Sequence, residues 1–191
     1  MKALKQSIIA LLILTVITGI IYPLITYGIG QLFFKYQANG SIIYHNDKAI
    51  GSELIGQQFT SNKYFWSRPS ATTNYPYNGL GSGGSNLGPL NPQLIEGIKE
   101  RVHTLQQSSP NNTSQIPVDL VTASGSGLDP EISIEAAYYQ MARIAQIRHI
   151  SVSQLQELVD KNTHYPLFGF LGEARVNVLQ LNLALDKLAG E

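Results

Sequence analysis

Two clusters of small polar residues carry the spacings that most often accompany chemistry. Gly79-Leu80-Gly81-Ser82-Gly83-Gly84 satisfies Gly-x-Gly-x-x-Gly letter by letter. A dinucleotide loop, however, follows a hydrophobic strand and opens a helix on its last glycine, and here Asn74-Tyr75-Pro76-Tyr77-Asn78 precedes it. Gly51-Ser52-Glu53-Leu54-Ile55-Gly56-Gln57 has the glycine spacing of a phosphate-binding loop, but Gln57 and Gln58 stand where a lysine and a hydroxyl must hold phosphate and magnesium. The second cluster, Thr122-Ala123-Ser124-Gly125-Ser126-Gly127-Leu128-Asp129-Pro130, is rich in hydroxyls, yet none of its serines sits in the Gly-x-Ser-x-Gly turn that exposes a hydrolase nucleophile. Thr122, Ser124 and Asp129 are better suited to bonding their own backbone in a turn. His45, His103, His149 and His164 lack ligand spacing, and the absence of cysteine removes thiolate catalysis, disulfides and Cys-based zinc sites together. The residues therefore predict no catalytic set and no metal site.

These clusters hang on a membrane anchor. From Gln6 to Phe34 there is no charged side chain. About 20 apolar helical residues cross a hydrocarbon core of about 30 Å, and Ile8 to Tyr27 supplies that length. A removable signal peptide fits poorly, since its apolar stretch is about 7–15 residues and ends at small residues, whereas Tyr22-Pro23-Leu24-Ile25-Thr26-Tyr27 is bulky. Lys2, Lys5 and the terminal amine flank one end and Lys35 the other, so the charge rule places the N-terminus in the cytoplasm and everything after about residue 36 outside. Within the span, Thr15 and Gly19 lie four apart. That spacing suits close approach of another transmembrane helix, and it suits equally an ordinary lipid-facing helix with an incidental threonine.

The domain organisation expected is an anchor over residues 1–35, spanning about 8–27, and one mixed α+β domain over 36–191 with glycine-rich loops at 67–92 and 123–130. That domain holds all 13 acidic but only 10 of the 13 basic residues, a balance near −3 that argues against nucleic acid as a partner. Ser41 to Ile50 reads as a hairpin around His45-Asn46-Asp47-Lys48. Tyr64-Phe65-Trp66 is a short aromatic segment stopped by Pro69. The loop 67–92 is expected to be ordered, pinned by Tyr75, Tyr77, Leu80 and Leu87. Asn91-Pro92 starts a helix with Leu94, Ile95, Ile98, Val102 and Leu105 inward and Arg101 on the wet side. Residues 108–114 read as a solvated tip, and Pro117 to Thr122 alternates as a strand would. Ser133 caps a helix whose inner face is Ile134, Ala137, Tyr138, Met141, Ile144 and Ala145; Ser151 and Gln154 form a capping box for the next, with Leu155, Leu158 and Val159 inward. The final stretch reads as a short strand passing into a helix.

Several longer strings point to a family. Thr18-Gly19-Ile20-Ile21-Tyr22-Pro23-Leu24, Ala38-Asn39-Gly40-Ser41, Tyr64-Phe65-Trp66-Ser67-Arg68-Pro69-Ser70-Ala71, Ser82-Gly83-Gly84-Ser85-Asn86-Leu87-Gly88-Pro89, Val118 through Pro130 and Val176 through Asp186, with the Gly51–Gln57 segment, occur in order along nearly the whole chain. Together they resemble the C subunit of the Kdp-type potassium-transporting P-type ATPase. Two positions depart from the family pattern. Glu131 stands where a histidine usually follows Leu-Asp-Pro, so no role of that histidine carries over, and Ile134 stands where a proline is common.

The resemblance implies an accessory subunit, not an enzyme, in a bacterial inner-membrane complex for high-affinity potassium uptake. Its partners would be a channel-like potassium-binding subunit, an ATP-hydrolysing P-type subunit and membrane lipid. No cofactor of its own is implied, with ATP entering only through the assembled complex. Candidate functional positions in the loops are Arg68, Asn86, Thr122, Ser124, Ser126 and Asp129, with Thr15 and Gly19 for helix packing. A competing role is a nucleotide-binding catalytic chaperone that raises the ATP affinity of the pump subunit. Ser82, Gly83, Gly84 and Ser85 would then act like the serine-glycine-glycine core of an ABC signature loop, whose amides touch phosphate. The lysine bias opposes that role, because it puts the domain where ATP is scarce.

Overall fold

A computed structural model describes residues 1–190. The chain divides into two compact units, Met1–Ile50 and the remainder from Gly51 onward. By compactness, then, the first hairpin as far as Ile50 groups with the helical segment.

The first unit is dominated by a helix of 32 residues, Lys2–Phe33, none of it buried. At roughly 1.5 Å per residue it is about 48 Å long, more than a hydrocarbon core of about 30 Å requires. It is not uniform. α1 (Lys2–Val16) leads into a π-helical stretch, Ile17–Ile21, and then α2 (Tyr22–Phe33). At the junction the Tyr22 N–H bonds Ile17 O, five residues back. Pro23 explains the widened turn: it has no N–H for the carbonyl four residues earlier and its ring crowds that carbonyl. Thr18 Oγ1 adds a bond to Leu14 O at 2.8 Å. A short α3 (Lys35–Ala38) precedes the hairpin of β1 (Ile42–His45) and β2 (Lys48–Ser52). Its two turn residues, Asn46 and Asp47, both have positive φ (49° and 61°), the tight turn whose twist matches paired strands and which asparagine and aspartate tolerate best.

In the second unit, α4 (Pro92–Ser108) starts where Asn91 accepts a bond from the Gln93 N–H. Pro117 to Thr122 is not a strand. It forms a single 3-10 turn, Val118–Leu120, which buries Leu120 and leaves Val118 71% exposed. β3 (Glu131–Ser133) runs directly into α5 (Ile134–Arg148), capped by Ser133. α6 (Val152–Lys161) has both halves of its capping box, Ser151 and Gln154. β4 (Thr163–His164), β5 (Arg175–Asn177) and α7 (Val178–Ala189) complete the chain, so the closing segment is the expected strand-into-helix. The three strands form an antiparallel sheet in the order β3-β5-β4, with Ile132 opposite Val176.

The core gathers Phe65, Ile144, Leu155, Val159, Val176, Leu181 and Leu185, each fully buried. Inside it lies a polar clamp. Asn182 on α7 accepts from Phe65 N (2.9 Å) and donates to Phe65 O (3.0 Å). Gln140 on α5 accepts from Trp66 N (2.7 Å) and donates to Trp66 O (3.1 Å). Two side-chain amides thus do for the aromatic segment what a neighbouring strand would do. The segment can be buried without joining a sheet, because its main-chain donors and acceptors are satisfied. Arg143 donates to Asn62 O and, at 3.1 Å, to Tyr64 O, while its guanidinium lies over the Trp66 ring at 4.6 Å. Burial lowers its pKa to about 10. The inner face of α5 is consequently more polar than its periodicity predicts: Gln140 and Arg143 are buried there beside Ala136, Ala137 and Ile144, and Tyr138 is only half-buried.

Candidate functional site

The glycine-rich loops at 67–92 and 123–130, distant in sequence, close on one another. Gly83 N donates to Ser126 O (2.8 Å) and Ser82 Oγ reaches the same carbonyl (3.0 Å). Ser70 Oγ donates to Gly127 O at 2.7 Å. Gly56 N takes the next carbonyl, Leu128 O, at 2.9 Å. Three successive carbonyls of the second loop therefore each receive a donor. The approach is close enough to demand glycine. A Cβ on Gly127, where φ is +66°, would sit 2.5 Å from Thr72 Cγ2 and 2.6 Å from Gly83 O; one on Gly56 would meet Tyr77 and the Asp129 carbonyl at 2.4 and 2.6 Å. Gly84 packs against the Ser124 and Gly125 carbonyls. The glycines serve backbone-to-backbone contact.

Side chains fix the edges. Arg68 Nη1 and Asp129 Oδ2 pair at 2.8 Å, and Asp129 Oδ1 accepts from Glu131 N at 3.0 Å. Tyr77 donates its hydroxyl to Arg68 O (2.5 Å) and its N–H to Ser70 Oγ (2.9 Å). Burial is the main cause raising the Tyr77 pKa, with Asp129 adding to it and Ser67 and Arg68 opposing, which keeps the hydroxyl a donor. Ser124 and Ser126 accept from Gly127 N (2.9 Å) and Leu128 N (3.1 Å), the local turn bonding that their residue types favour.

Of the candidate positions, Arg68, Ser82, Gly83, Gly84, Ser124, Ser126 and Asp129 converge on this interlock. Thr122 shares a hollow with Arg68 and Asp129 without bonding either, and the others stand apart. Thr122 Oγ1 bonds Val118 O on its own turn, Ser85 Oγ accepts from Leu87 N at the long distance of 3.5 Å, and Asn86 is exposed at φ +51°. Thr15 and Gly19 belong to the helical unit, and a side chain built on Gly19 meets nothing inside the molecule. Leu80, expected to pin the first loop, is 96% exposed; Asn78 is buried instead, donating to Thr73 O and accepting from Leu80 N. Arg101 is not on the wet side but half-buried, donating to Val121 O at 3.0 Å. Asn112 in the 108–114 segment donates to Tyr139 O (2.9 Å), so that tip is tied down. Tyr77 pins the first loop as its sequence position suggests, whereas Ser70 and Gly56 lock the loops without having stood out as functional. The one signal for them was a density of small and hydroxyl residues on both sides of each loop.

Glu131 finds its own partner, since both its oxygens contact Arg175 Nε at 2.8–2.9 Å across the sheet. Among the described residues no group of three His, Asp or Glu side chains could hold a metal ion.

An end-to-end match decides the family: residues 4–187 fit the one described as K+-transporting ATPase, c chain. The chain belongs to the KdpC family. It is similar to the potassium-transporting ATPase KdpC subunit of Polynucleobacter asymbioticus, 54% identical over 97% of this chain and 99% of that one. The KdpC subunits of Methylococcus capsulatus (55% identical, 96% and 97% covered) and Serratia proteamaculans (53%, 98% and 100%) are similar over the same extent.

Proposed function

We propose that this KdpC-family chain is a non-catalytic assembly component. It lies in a bacterial inner membrane with its N-terminus in the cytoplasm and its domain outside, and it joins the channel-like potassium-binding subunit to the ATP-hydrolysing one. The observation that carries this reading is the state of the glycine loops. The Gly83 amide and the Ser82 hydroxyl, the groups a phosphate would need, are already bonded to Ser126 O. A phosphate oxygen would have to displace a bond inside a close-packed contact, which argues against the nucleotide-binding chaperone role and for a rigid docking element. The exposed 32-residue apolar helix supports anchoring, and its widened turn beside an open Gly19 supports packing against another helix.

Orientation is tested with a cysteine at Asn111, which is exposed, and an impermeant thiol reagent on intact cells. Labelling from outside is expected, and protection until the membrane is opened overturns the topology. Gly19→Leu is expected to reduce recovery of the complex in detergent severalfold; unchanged co-purification removes this helix face from the contact. Isothermal titration of ATP into the purified chain is expected to show no binding, and a saturable heat that Gly83→Pro abolishes would restore the chaperone reading.

A further inference from the structure

A cavity of about 350 Å³ opens between the 58–77 segment and α4, sharing Arg68, Ser70 and Tyr77 with the edge of the loop interlock. Its floor is apolar, built from Phe59, Trp66, Leu105 and Leu120, and its wall carries two guanidinium groups, Arg68 and Arg101. Among the described residues no aspartate or glutamate lines it, although the second unit as a whole carries more acid than base. Asp129 neutralises Arg68 from outside the cavity, lining a different hollow. Arg101 has no such partner: it is held by the neutral Val121 carbonyl and forms no ion pair among the described residues. Among the described residues the Nε of Arg68 is buried without an acceptor. A half-buried cation over an apolar floor attracts an anion that brings its own apolar body, because burying the body is favourable while the guanidinium forms a charge-assisted bond to the head.

We infer that this cavity binds a small organic carboxylate, its headgroup on Arg101 and its apolar body against Trp66 and Leu105. The volume is at the lower end of small-molecule sites, which fits a single ring or a short alkyl chain. The carboxylate could belong to a free solute or to an acidic side chain of a neighbouring subunit; the recognition chemistry is the same. This inference does not depend on the membrane orientation or on the assembly role.

Trp66 is the sole tryptophan of the chain, so its fluorescence reports occupancy directly. The full chain in detergent is titrated with hexanoate at fixed ionic strength, with chloride and inorganic phosphate as controls. A saturable change with hexanoate alone is expected. Arg101→Gln should weaken it about tenfold or more, and Arg101→Lys should restore part of the affinity, with circular dichroism verifying the fold of each. A response in the isolated chain that vanishes in the assembled complex assigns the carboxylate to a neighbour; a response in both assigns it to a solute. No saturation with hexanoate, or a folded Arg101→Gln that binds as tightly as the parent, overturns the site.

Discussion

Met1–Ile50 and the unit from Gly51 onward use similar apolar side chains to opposite ends. In the first fifty residues only Ser41 is buried, and Ile8, Leu11, Leu14, Ile20 and Leu24 all stand open. In the second unit the same residue types are closed into a core, and even Gln140, Arg143 and Asn182 are buried within it. The second unit closes most of its apolar and polar groups on itself, although Leu167, Phe168 and Phe170 stand open and the Arg68 Nε and Tyr139 hydroxyl are buried without partners among the described residues. The first leaves its apolar surface to be covered from outside, by lipid or by another protein's helices, because a contiguous apolar surface of that size is not stable in water.

The strongest way to break this comparison is to remove the internal clamp. Asn182→Leu keeps the size of the side chain but strands the Phe65 N–H and C=O in the core, and about 2–4 kcal/mol of domain stability should go, at roughly 1–3 kcal/mol per unsatisfied group. Thermal unfolding in detergent measures it. Leu14→Ala in the span, where the side chain is 58% exposed, should leave the same transition unmoved; if it shifts, the second unit is not self-sufficient.

A smaller contrast sits inside the loop interlock. Gly127→Ala places a methyl into Thr72 and the Gly83 carbonyl at a positive φ, and should cost about 1–3 kcal/mol. Gly125→Ala, two residues away with open space around it, should stay within about 0.5 kcal/mol. Equal effects in chemical denaturation would show that the loops are not locked as their contacts indicate.

The smallest effect tests a flaw in the self-sufficiency. Among the described residues the Tyr139 hydroxyl is buried without a partner, and burial raises its pKa above the ordinary value of 10.0. The raised value means that folding favours the protonated phenol; that contribution is present below the unfolded value and is lost as pH climbs through the folded one. Tyr139→Phe should therefore be neutral to about 1 kcal/mol stabilising at pH 7, and should move alkaline unfolding to higher pH. Destabilisation at neutral pH would reveal a hidden partner for the hydroxyl.

Local signals were read correctly where the chemistry is local. Asn91, Ser133 and Ser151 cap helices because their side chains reach amides two or three residues on, and Asn46-Asp47 turns a hairpin because those residues tolerate positive φ. Pro117 to Thr122 misled because alternation suits a strand only if a partner strand is available; here Thr122 N and Thr122 Oγ1 both turn back to Val118 O. The apolar face of α5 lines the core as its periodicity indicates, but Gln140 and Arg143 join it, since they look like surface residues until the 62–66 backbone arrives to bond them. The pinning that Leu80 suggests falls instead to Asn78, since a buried amide bonding its own loop leaves no periodic trace.

By itself the sequence determined the span, the helix starts, the closing strand-into-helix and the family, for each rests on composition or on spacings within a few residues. Only the tertiary structure decided that the two glycine loops lock together, that Asn182 and Gln140 stand in for a missing strand, and that Arg101 lines a cavity with no acid. Those facts join residues some 40 to 120 positions apart in bonds such as Gly83 to Ser126 and Asn182 to Phe65. Pairings at that range follow from how the whole chain fills space, and no periodicity of one segment encodes them.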